Sequence, residues 1–290
     1  MSFTIDLNDI EMYGDDLVRP EGVMAMPDGT VWCAHGGGHC TRINPDGASE
    51  HIGDLGGQPN GICIDHYGNV VVANIGNGQV QRLFSDGSHE VVTGAMEGRP
   101  MPSPNFPYID SKGRLWVTNS TNLQRHVDAS RRPIPDGSLC IIESGATRIV
   151  AEGLLFANGV TLDAEEKYVY VAETMGRCIV RYEVLADGSL GRPEQYGPEF
   201  GELGHPDGCA FDSAGNLWVT LVVMNAIGII TPEREFHIVV HDEKAEKLQR
   251  PTNICFGGED LRTAYIGNLK GPSLPCFKVP HPGMPLIHQM

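Results

Sequence analysis

Polar and apolar residues follow a repeating pattern along the whole chain, and this pattern indicates β-strands. A polar residue, a short apolar stretch, a turn and a strand-like run recur six times. The runs after the turn are rich in β-branched and aromatic residues, and all three tryptophans lie in this one register. The polar positions of the six repeats are Glu21, Asn60, Asn105, Asn158, Asp207 and Asn253.

The spacing of these repeats matches the size of one propeller blade. Successive polar positions are 39, 45, 53, 49 and 46 residues apart, which is room for four short strands and their turns. Turn sequences at 44–47, 85–87 and 186–188 lie where a third strand would reverse into a fourth. We therefore predict an all-β fold, a six-bladed β-propeller that forms a single domain over residues 1–290.

The last repeat predicts how the ring closes. It has too few residues for a fourth strand before the end at Met290. We expect a strand within residues 3–13 to supply the missing outer strand. The N-terminus would then close the ring and remove the open sheet edge.

The six polar residues would line the central channel, because the first strand of each blade is innermost in a propeller. Asn and Asp also begin strands after turns for a local reason, since their side chains bond to nearby backbone. Two carboxylates facing several amides in a channel would repel each other unless a positive charge lay between them. Oxygen donors alone predict one divalent cation, Ca²⁺ first, then Mg²⁺ or Mn²⁺, with Zn²⁺ or Fe²⁺ as further ions that could bind.

At these residues the chain resembles the SMP-30/gluconolactonase (regucalcin-like) family, over nearly its whole length. The resemblance rests on Glu21, Asn105, Asn158 and Asp207 in this order, and on the phrases at 157–163 and 205–208. It implies a six-bladed propeller with one catalytic divalent metal that hydrolyses sugar lactones. Related paraoxonases and diisopropylfluorophosphatases use a similar ring on lactones, aryl esters and organophosphates.

The resemblance also implies residue roles. Glu21, Asn158 and Asp207 carry over as metal ligands, and Asn105 as a further ligand or a substrate contact through the metal shell. We expect Asp207 to act both as a ligand and as the general base, so Asp207 and Asn105 are the candidate catalytic residues.

The chain departs from the family pattern at positions that bear on the substrate. Sugar lactonases of the family typically have Gly-Glu-Gly-Pro around the first ligand, where this chain has Arg19-Pro20-Glu21-Gly22-Val23. They also have an Arg two residues before the position of Asn105 and an Asp directly after it, where this chain has Ser103 and Phe106. Because those residues touch sugar hydroxyls in the family, gluconolactone itself is not the expected substrate.

The loops that join second and third strands should form the mouth of the channel. The third of these, residues 120–136, is long enough to be a lid or a solvated connection. This loop contributes basic residues that could attract an anionic substrate. Apolar residues elsewhere in the chain suggest a pocket less polar than a sugar would favour. The candidate substrate-binding residues are His35, Asn60, Phe106, Asn119, Arg125, His126, Met175 and Asn253.

These observations lead to a functional prediction with named alternatives. We predict a metal-dependent hydrolase that opens a lactone ring of a small molecule. The alternatives are an esterase or phosphotriesterase, a lyase-type propeller enzyme, and a binding propeller in which the metal only braces the channel, since a fold does not by itself imply a function.

The composition and the net charge of the chain limit the kinds of partner that it can bind. The 36 glycines and 20 prolines among 290 residues favour a turn-rich β protein. A formal net charge of −16 repels phosphate backbones and anionic membranes, so neither nucleic acid nor a membrane is an expected partner. With no signal-peptide pattern and no apolar run of spanning length, we expect a cytoplasmic protein, monomeric or a small homo-oligomer. The eight cysteines are expected to be reduced thiols, although Cys33 and Cys40 flank one turn and could approach each other.

Overall fold

A computed structural model describes residues 3–290, so the first two residues of the predicted domain lie outside the described part. A 3₁₀ turn over Leu7–Asp9 leads into strand β1, Glu11–Tyr13. The first blade consists of β2 (Val23–Ala25), β3 (Val31–His35), β4 (His39–Ile43) and β5 (Ser49–Ile52). The second consists of β6 (Pro59–Ile64), β7 (Val70–Asn74), β8 (Gln79–Leu83) and β9 (His89–Thr93). A small hairpin, β10 (Ala95–Met96) and β11 (Arg99–Pro100), follows.

The remaining blades repeat the same meander. The third has β12 (Pro104–Ile109), β13 (Leu115–Asn119), β14 (Pro135–Glu143) and β15 (Ala146–Leu155), with the short helix α1 (His126–Ala129) between its middle strands. The fourth has β16 (Ala157–Leu162), β17 (Tyr168–Glu173), β18 (Cys178–Glu183) and β19 (Glu194–Tyr196). The fifth has β20 (Pro206–Phe211), β21 (Leu217–Leu221), β22 (Ala226–Ile230) and β23 (Phe236–His241). The sixth has β24 (Pro251–Gly257), β25 (Thr263–Asn268) and β26 (Leu274–Lys278), and a 3₁₀ turn, Ile287–Gln289, lies near the C-terminus.

Each blade is a four-stranded antiparallel sheet, and the first strands form the inner ring. β2, β6, β12, β16, β20 and β24 each contact the first strand of the next blade, and β24 contacts β2. The predicted six-bladed β-propeller is therefore confirmed.

The N-terminal strand closes the ring, as predicted. β1 pairs antiparallel with β26, with Glu11 opposite Cys276 and Tyr13 opposite Leu274. The Tyr13 hydroxyl donates to the Asn44 carbonyl at 2.8 Å in the neighbouring first blade. The sixth blade thus gains its fourth strand from the other end of the chain, and β26 is covered instead of forming the edge of the sheet.

In four of the repeats an aspartate stands five residues after the polar position, at the turn between the first and second strands. One oxygen of Asp110 accepts from the Lys112 and Arg114 amides at 3.1 and 2.9 Å, while the other accepts from the Trp116 indole at 2.9 Å. Asp212 makes the same bonds to its own turn and to Trp218. A buried carboxylate thus satisfies turn amides and an indole that would otherwise be unpaired.

All eight cysteines lie in the described part of the chain, and they are buried and unpaired. Cys33 faces Thr41 and Ala34 faces Cys40 in the β3–β4 register, so the two thiols of this hairpin are not joined. Within residues 3–290, no helix is both long and apolar enough to cross a membrane.

Candidate functional site

A cavity of about 510 Å³ opens where the inner strands begin, and seven residues singled out in the sequence line it. They are Glu21, Asn60, Asn105, His126, Asn158, Met175 and Asp207. Helix α1 contributes His126 and Val127, so the 120–136 loop borders the cavity. The base of that loop is held by Asp136, whose carboxylate accepts from the Thr121 hydroxyl at 2.8 Å and the Asn122 amide at 3.0 Å.

A β-bulge at the start of the first strand determines where these polar side chains lie. In the second blade Pro59 faces Asn74 and Ile62 faces Val72, so one extra residue is inserted at Asn60. The same shift occurs in the next four blades. Bulges re-aim side chains and are common beside functional sites. Here they bring residues from successive blades into one cavity.

Hydrogen bonds fix the amides of this site. The Asn60 amide donates to Asn105 Oδ1 at 3.0 Å, and the Asn105 amide donates to Ser120 Oγ at 2.7 Å. The Asn158 amide donates to Thr174 Oγ1 at 3.1 Å, and that hydroxyl donates to the Pro206 carbonyl at 2.8 Å. Asn60 is therefore oriented by the next blade, whereas Asn105 and Asn158 are oriented by hydroxyls that follow the second strand of their own blades.

Two buried oxygens of the site lack hydrogen bonds. Among the described residues, Asn158 Oδ1 has no partner, and Glu21 Oε2 accepts no hydrogen bond although it forms an ion pair with Arg19. An unpaired buried oxygen is costly, so Asn158 Oδ1 indicates a missing positive partner, whereas Glu21 Oε2 already has Arg19. With Asp207 alongside, the donor set is carboxylate and amide oxygen, which fits a hard divalent cation.

The two carboxyl groups affect each other strongly. Burial raises the pKa of Asp207 well above its ordinary value, and the negative charge of Glu21 adds to the rise. Burial also raises the pKa of Glu21, against the opposing effect of Arg19. Two buried acids that interact in this way resist joint ionisation unless a cation or a proton lies between them.

Arg19 is the main pocket residue that the sequence did not predict. Its guanidinium donates to Asn60 Oδ1 at 3.2 Å and pairs with Glu21, and it also donates at 2.7 Å to the Gln58 side chain when that amide is oriented with its oxygen toward Arg19. Its backbone is left-handed, with φ of 50°. The sequence marked Arg19 only as a departure from the family pattern, and no local signal showed that its side chain enters the cavity.

His205 and Arg250 also line the cavity and were not predicted. His205 Nδ1 lies 3.1 Å from the Thr174 carbonyl, which places the proton on Nδ1 and leaves Nε2 as an acceptor. Arg250 is exposed, and within residues 3–290 it has no ion-pair partner. His205 stands two residues before Asp207 in the motif at 205–208, and this closeness in sequence could have predicted that it lines the cavity.

Asn253 does not line the cavity, and the reason is a shift of one residue in the sixth repeat. Pro251 faces Asn268 as Pro59 faces Asn74, so Thr252 rather than Asn253 is equivalent to Asn60. The Asn253 amide donates to the Val23 carbonyl at 3.2 Å, and its side chain borders a separate cavity of about 30 Å³. The signal was a proline directly before the ring residue in four other blades, at Pro20, Pro59, Pro104 and Pro206.

Phe106 and Asn119 are also placed away from the cavity. Phe106 is buried and borders the same small closed cavity as Asn253. Asn119 is fully buried: its oxygen accepts from the Ser103 amide at 2.9 Å, and its nitrogen donates to the Thr121 carbonyl at 3.1 Å. This bonding gives Asn119 a role in holding the start of the loop, in place of the predicted substrate contact.

Arg125 and His35 likewise lie outside the cavity lining. The Arg125 side chain is 72% exposed, and its charged partner is Asp128 at 3.9 Å. His35 is buried at the end of β3, where its ring stacks on His39 with centroids 4.1 Å apart. Candidate ligand atoms of His35, His39 and His51 all lie within 4.8 Å of one another. We call these three residues the histidine cluster.

Comparison with known proteins gives the family of this chain and its sequence relatives. Residues 84–269 match the family model described as the SMP-30/gluconolactonase/LRE-like region. A 6-deoxy-6-sulfogluconolactonase of Pseudomonas putida is 34% identical over 168 residues, covering 54% of this chain and 51% of that protein. A strictosidine synthase-like protein of Arabidopsis thaliana is 27% identical over 182 residues, covering 61% and 47%. The chain thus spans about half the length of the curated relatives it matches.

The fold is shared with solved structures. A calcium-binding protein, regucalcin, from Agrobacterium tumefaciens superimposes with a TM-score of 0.76 at 15% identity, covering 93% of each chain. The family model spans more than half of the present chain, from the second blade to the sixth. The chain therefore belongs to the SMP-30/gluconolactonase/LRE-like family.

Proposed function

We propose that this protein is a divalent-metal-dependent hydrolase that opens a lactone ring. The observation that carries the proposal is the group of buried oxygens at the cavity, where Asn158 Oδ1 has no partner among the described residues beside two acids that resist joint ionisation. The sulfogluconolactonase relative supports the reaction class.

Glu21, Asn158 and Asp207 would hold the cation, with Asn105 beside them. Ca²⁺ suits this oxygen set best, and a calcium-binding protein of the same fold supports that choice. When bound, the ion would polarise the ester carbonyl and stabilise the negative charge that develops on its oxygen.

The chain's own residues supply positioning and proton transfer. Asn105 is fixed by Asn60 and Ser120, so it can orient a lactone without reorganising. Asp207 can accept a proton from the attacking water through the carboxylate oxygen that does not hold the ion. Water adds to the carbonyl carbon, the ring C–O bond breaks, and the leaving oxygen takes a proton to give a hydroxy acid.

Replacing Asp207 tests this mechanism. We expect Asp207→Asn to lower lactone turnover by roughly 10³-fold or more, because it removes a candidate ligand and the base together. The assay uses chelated protein with Ca²⁺, Mg²⁺ or Mn²⁺ added back singly, on a panel of lactones, aryl esters and phosphotriesters. Glu243→Gln, at an exposed site, controls for loss of one negative charge.

Binding of the ion is measured separately by calorimetry. Asp207→Asn should weaken Ca²⁺ binding while its circular dichroism stays that of the parent protein. If Zn²⁺ is also titrated, a His35→Asn background is needed, because the histidine cluster is a second set of ligands. Full turnover in Asp207→Asn, or no effect of chelation on any substrate, would overturn the proposal.

A further inference from the structure

We propose that the cavity selects a lactone that bears an anionic group, and that Arg19 determines this specificity by binding that group. The inference rests on the proposed function and names the substrate class. It is carried by the position of Arg19, by the charge balance of the cavity and by its apolar wall.

The guanidinium of Arg19 lies inside the cavity, although nothing in the local strand requires a charge there. Its side chain is 22% exposed, and its backbone adopts the left-handed region that disfavours residues other than glycine. Phe156 and Arg250, which also stand two residues before a ring position and line the cavity, share this backbone conformation. Here the conformation brings a five-donor group to the edge of the oxygen site.

Charge balance shows what Arg19 lacks once a cation is present. The ionised acids lining the cavity are Glu21 and Asp207, and its arginines are Arg19 and Arg250. A divalent ion compensates the two acids, which leaves both arginines without a charged partner in the cavity. Because the ion would also take over Glu21 and repel the nearby guanidinium, Arg19 becomes free to bind an anion.

A second polar group lies near Arg19. His126 lines the same cavity, and its pKa is lowered first by burial and then by the positive charge of Arg19. The arginine charge therefore reaches the helix α1 side of the cavity. An anion bound by Arg19 would lie where it also offsets this effect on His126.

The apolar lining of the cavity limits how many hydroxyl groups the substrate ring can carry. Ile75, Phe156, Met175, Val222 and Leu269 line the cavity, so most of the surface beyond the oxygen site is apolar. Apolar walls favour a ring with few hydroxyls. The substrate class is accordingly a small lactone with few hydroxyls and one carboxylate or sulfonate.

The binding arm of the test needs no turnover. Ca²⁺-loaded protein is titrated with cyclopentanecarboxylate and with its neutral counterpart, cyclopentylmethanol, by calorimetry and by NMR of the His126 ring. We expect the carboxylate to bind at least about tenfold more tightly and Arg19→Gln to abolish this preference, since a hydrogen bond between charged groups strengthens binding by about tenfold or more. Bound carboxylate should also raise the pKa of His126.

Arg99→Gln is the matched control, because Arg99 is an exposed arginine that pairs with Glu152 outside the cavity. It should keep the preference of the parent protein. Ca²⁺ affinity of Arg19→Gln should be equal to or tighter than that of the parent, because a competing cation is removed from Glu21. A clear loss of Ca²⁺ affinity would instead make Arg19 a support for the ion site and overturn the inference.

The kinetic arm compares two lactones that differ in one group, 5-oxotetrahydrofuran-2-carboxylate and neutral 5-(hydroxymethyl)dihydrofuran-2-one. We expect Arg19→Gln to raise KM for the carboxylate by roughly tenfold or more and to change the neutral lactone less than about threefold. Equal efficiency of the parent protein on both lactones would overturn the inference but leave the proposed function intact. Hydrolysis of neither, with the binding preference present, would reject the proposed function alone.

Discussion

At the residue scale, the histidine cluster shows how neighbours alter the charge state of a buried ring. Burial lowers the pKa of His35 to about 4, and His39 and His51 add to the fall. Burial and His51 also lower the pKa of His39, with Asp54 opposing them. His35 Nδ1 accepts from the Gly37 amide at 3.0 Å, so the neutral ring completes its own hairpin. The cluster is thus built for uncharged histidines.

This predicts a stability that falls in acid. A histidine in the unfolded chain has a pKa of about 6.5. Between about pH 6.5 and about pH 4, the unfolded chain therefore binds a proton at this residue that the folded protein does not bind. The free energy of unfolding should fall as the pH is lowered through this range. His35→Asn should flatten that dependence, because it removes the titrating ring. The variant should still fold, since Asn74 fills the equivalent position at the end of β7.

Urea unfolding at pH 7.5, 5.5 and 4.5 measures the effect. His89→Gln is the control, since His89 is exposed on β9 and far from the cluster in sequence. An unchanged pH dependence in His35→Asn would contradict the assignment of this acid sensitivity to the cluster.

At the element scale, the bulge and the glycine beside it work together. Cβ atoms added at Gly159 and Gly208 would lie 2.5 and 2.6 Å from the carbonyl oxygens of Asp207 and Thr252 in the next blade. Thr220 Oγ1 donates to that same Thr252 carbonyl at 2.9 Å. Inner strands therefore approach so closely that a side chain at these positions would displace a ring residue.

We expect Gly159→Ala to destabilise the protein by about 1–3 kcal/mol, as overpacking does, and to weaken Ca²⁺ binding by shifting Asp207. Gly94→Ala is the control, because its added Cβ would meet its nearest atom at an ordinary 3.5 Å. Denaturant unfolding and calorimetry measure the two effects. Equal stability of the two variants would show that the ring tolerates wider spacing.

At the scale of the whole molecule, ring closure depends on a strand from the opposite end of the sequence. β1 covers the outer edge of β26, and the Tyr13 ring packs edge-on against Tyr265 with centroids 5.4 Å apart. Lys247 Nζ also donates to the Ile10 carbonyl at 3.1 Å. These contacts join regions more than 200 residues apart, so the six blades depend on one another.

Deleting residues 1–13 should lower Tm by roughly 10 °C or more and promote self-association, because β26 becomes an exposed edge. Tyr13→Phe keeps the strand and loses only the bond to Asn44, so it should cost about 0.5–1.5 kcal/mol. Scanning calorimetry and light scattering test both. A truncated protein that keeps the parental Tm and stays monomeric would show that the pairing of β1 with β26 does not stabilise the ring.

Much of the architecture was predictable because it depends on short-range patterns. The strand runs, the turn sequences and the tryptophan register are local, and with the spacing of the repeats they sufficed to predict six blades and the N-terminal closing strand. Glu21, Asn60, Asn105, Asn158 and Asp207 could be found because each stands at the start of its repeat. The one error in this ring, Asn253 for Thr252, came from matching residue type instead of the preceding proline.

The sequence by itself therefore determined the repeat, the blade count and most of the polar ring, since these follow from periodicity within each blade. Only the tertiary structure decided which side chains share the cavity. Arg19 enters it through a left-handed backbone and partners on the second blade, whereas Asn119 and His35 turn into their own hairpins. The physical reason is that side-chain direction at strand ends is set by bulges and by contacts between blades, and neither is encoded in the spacing of one repeat.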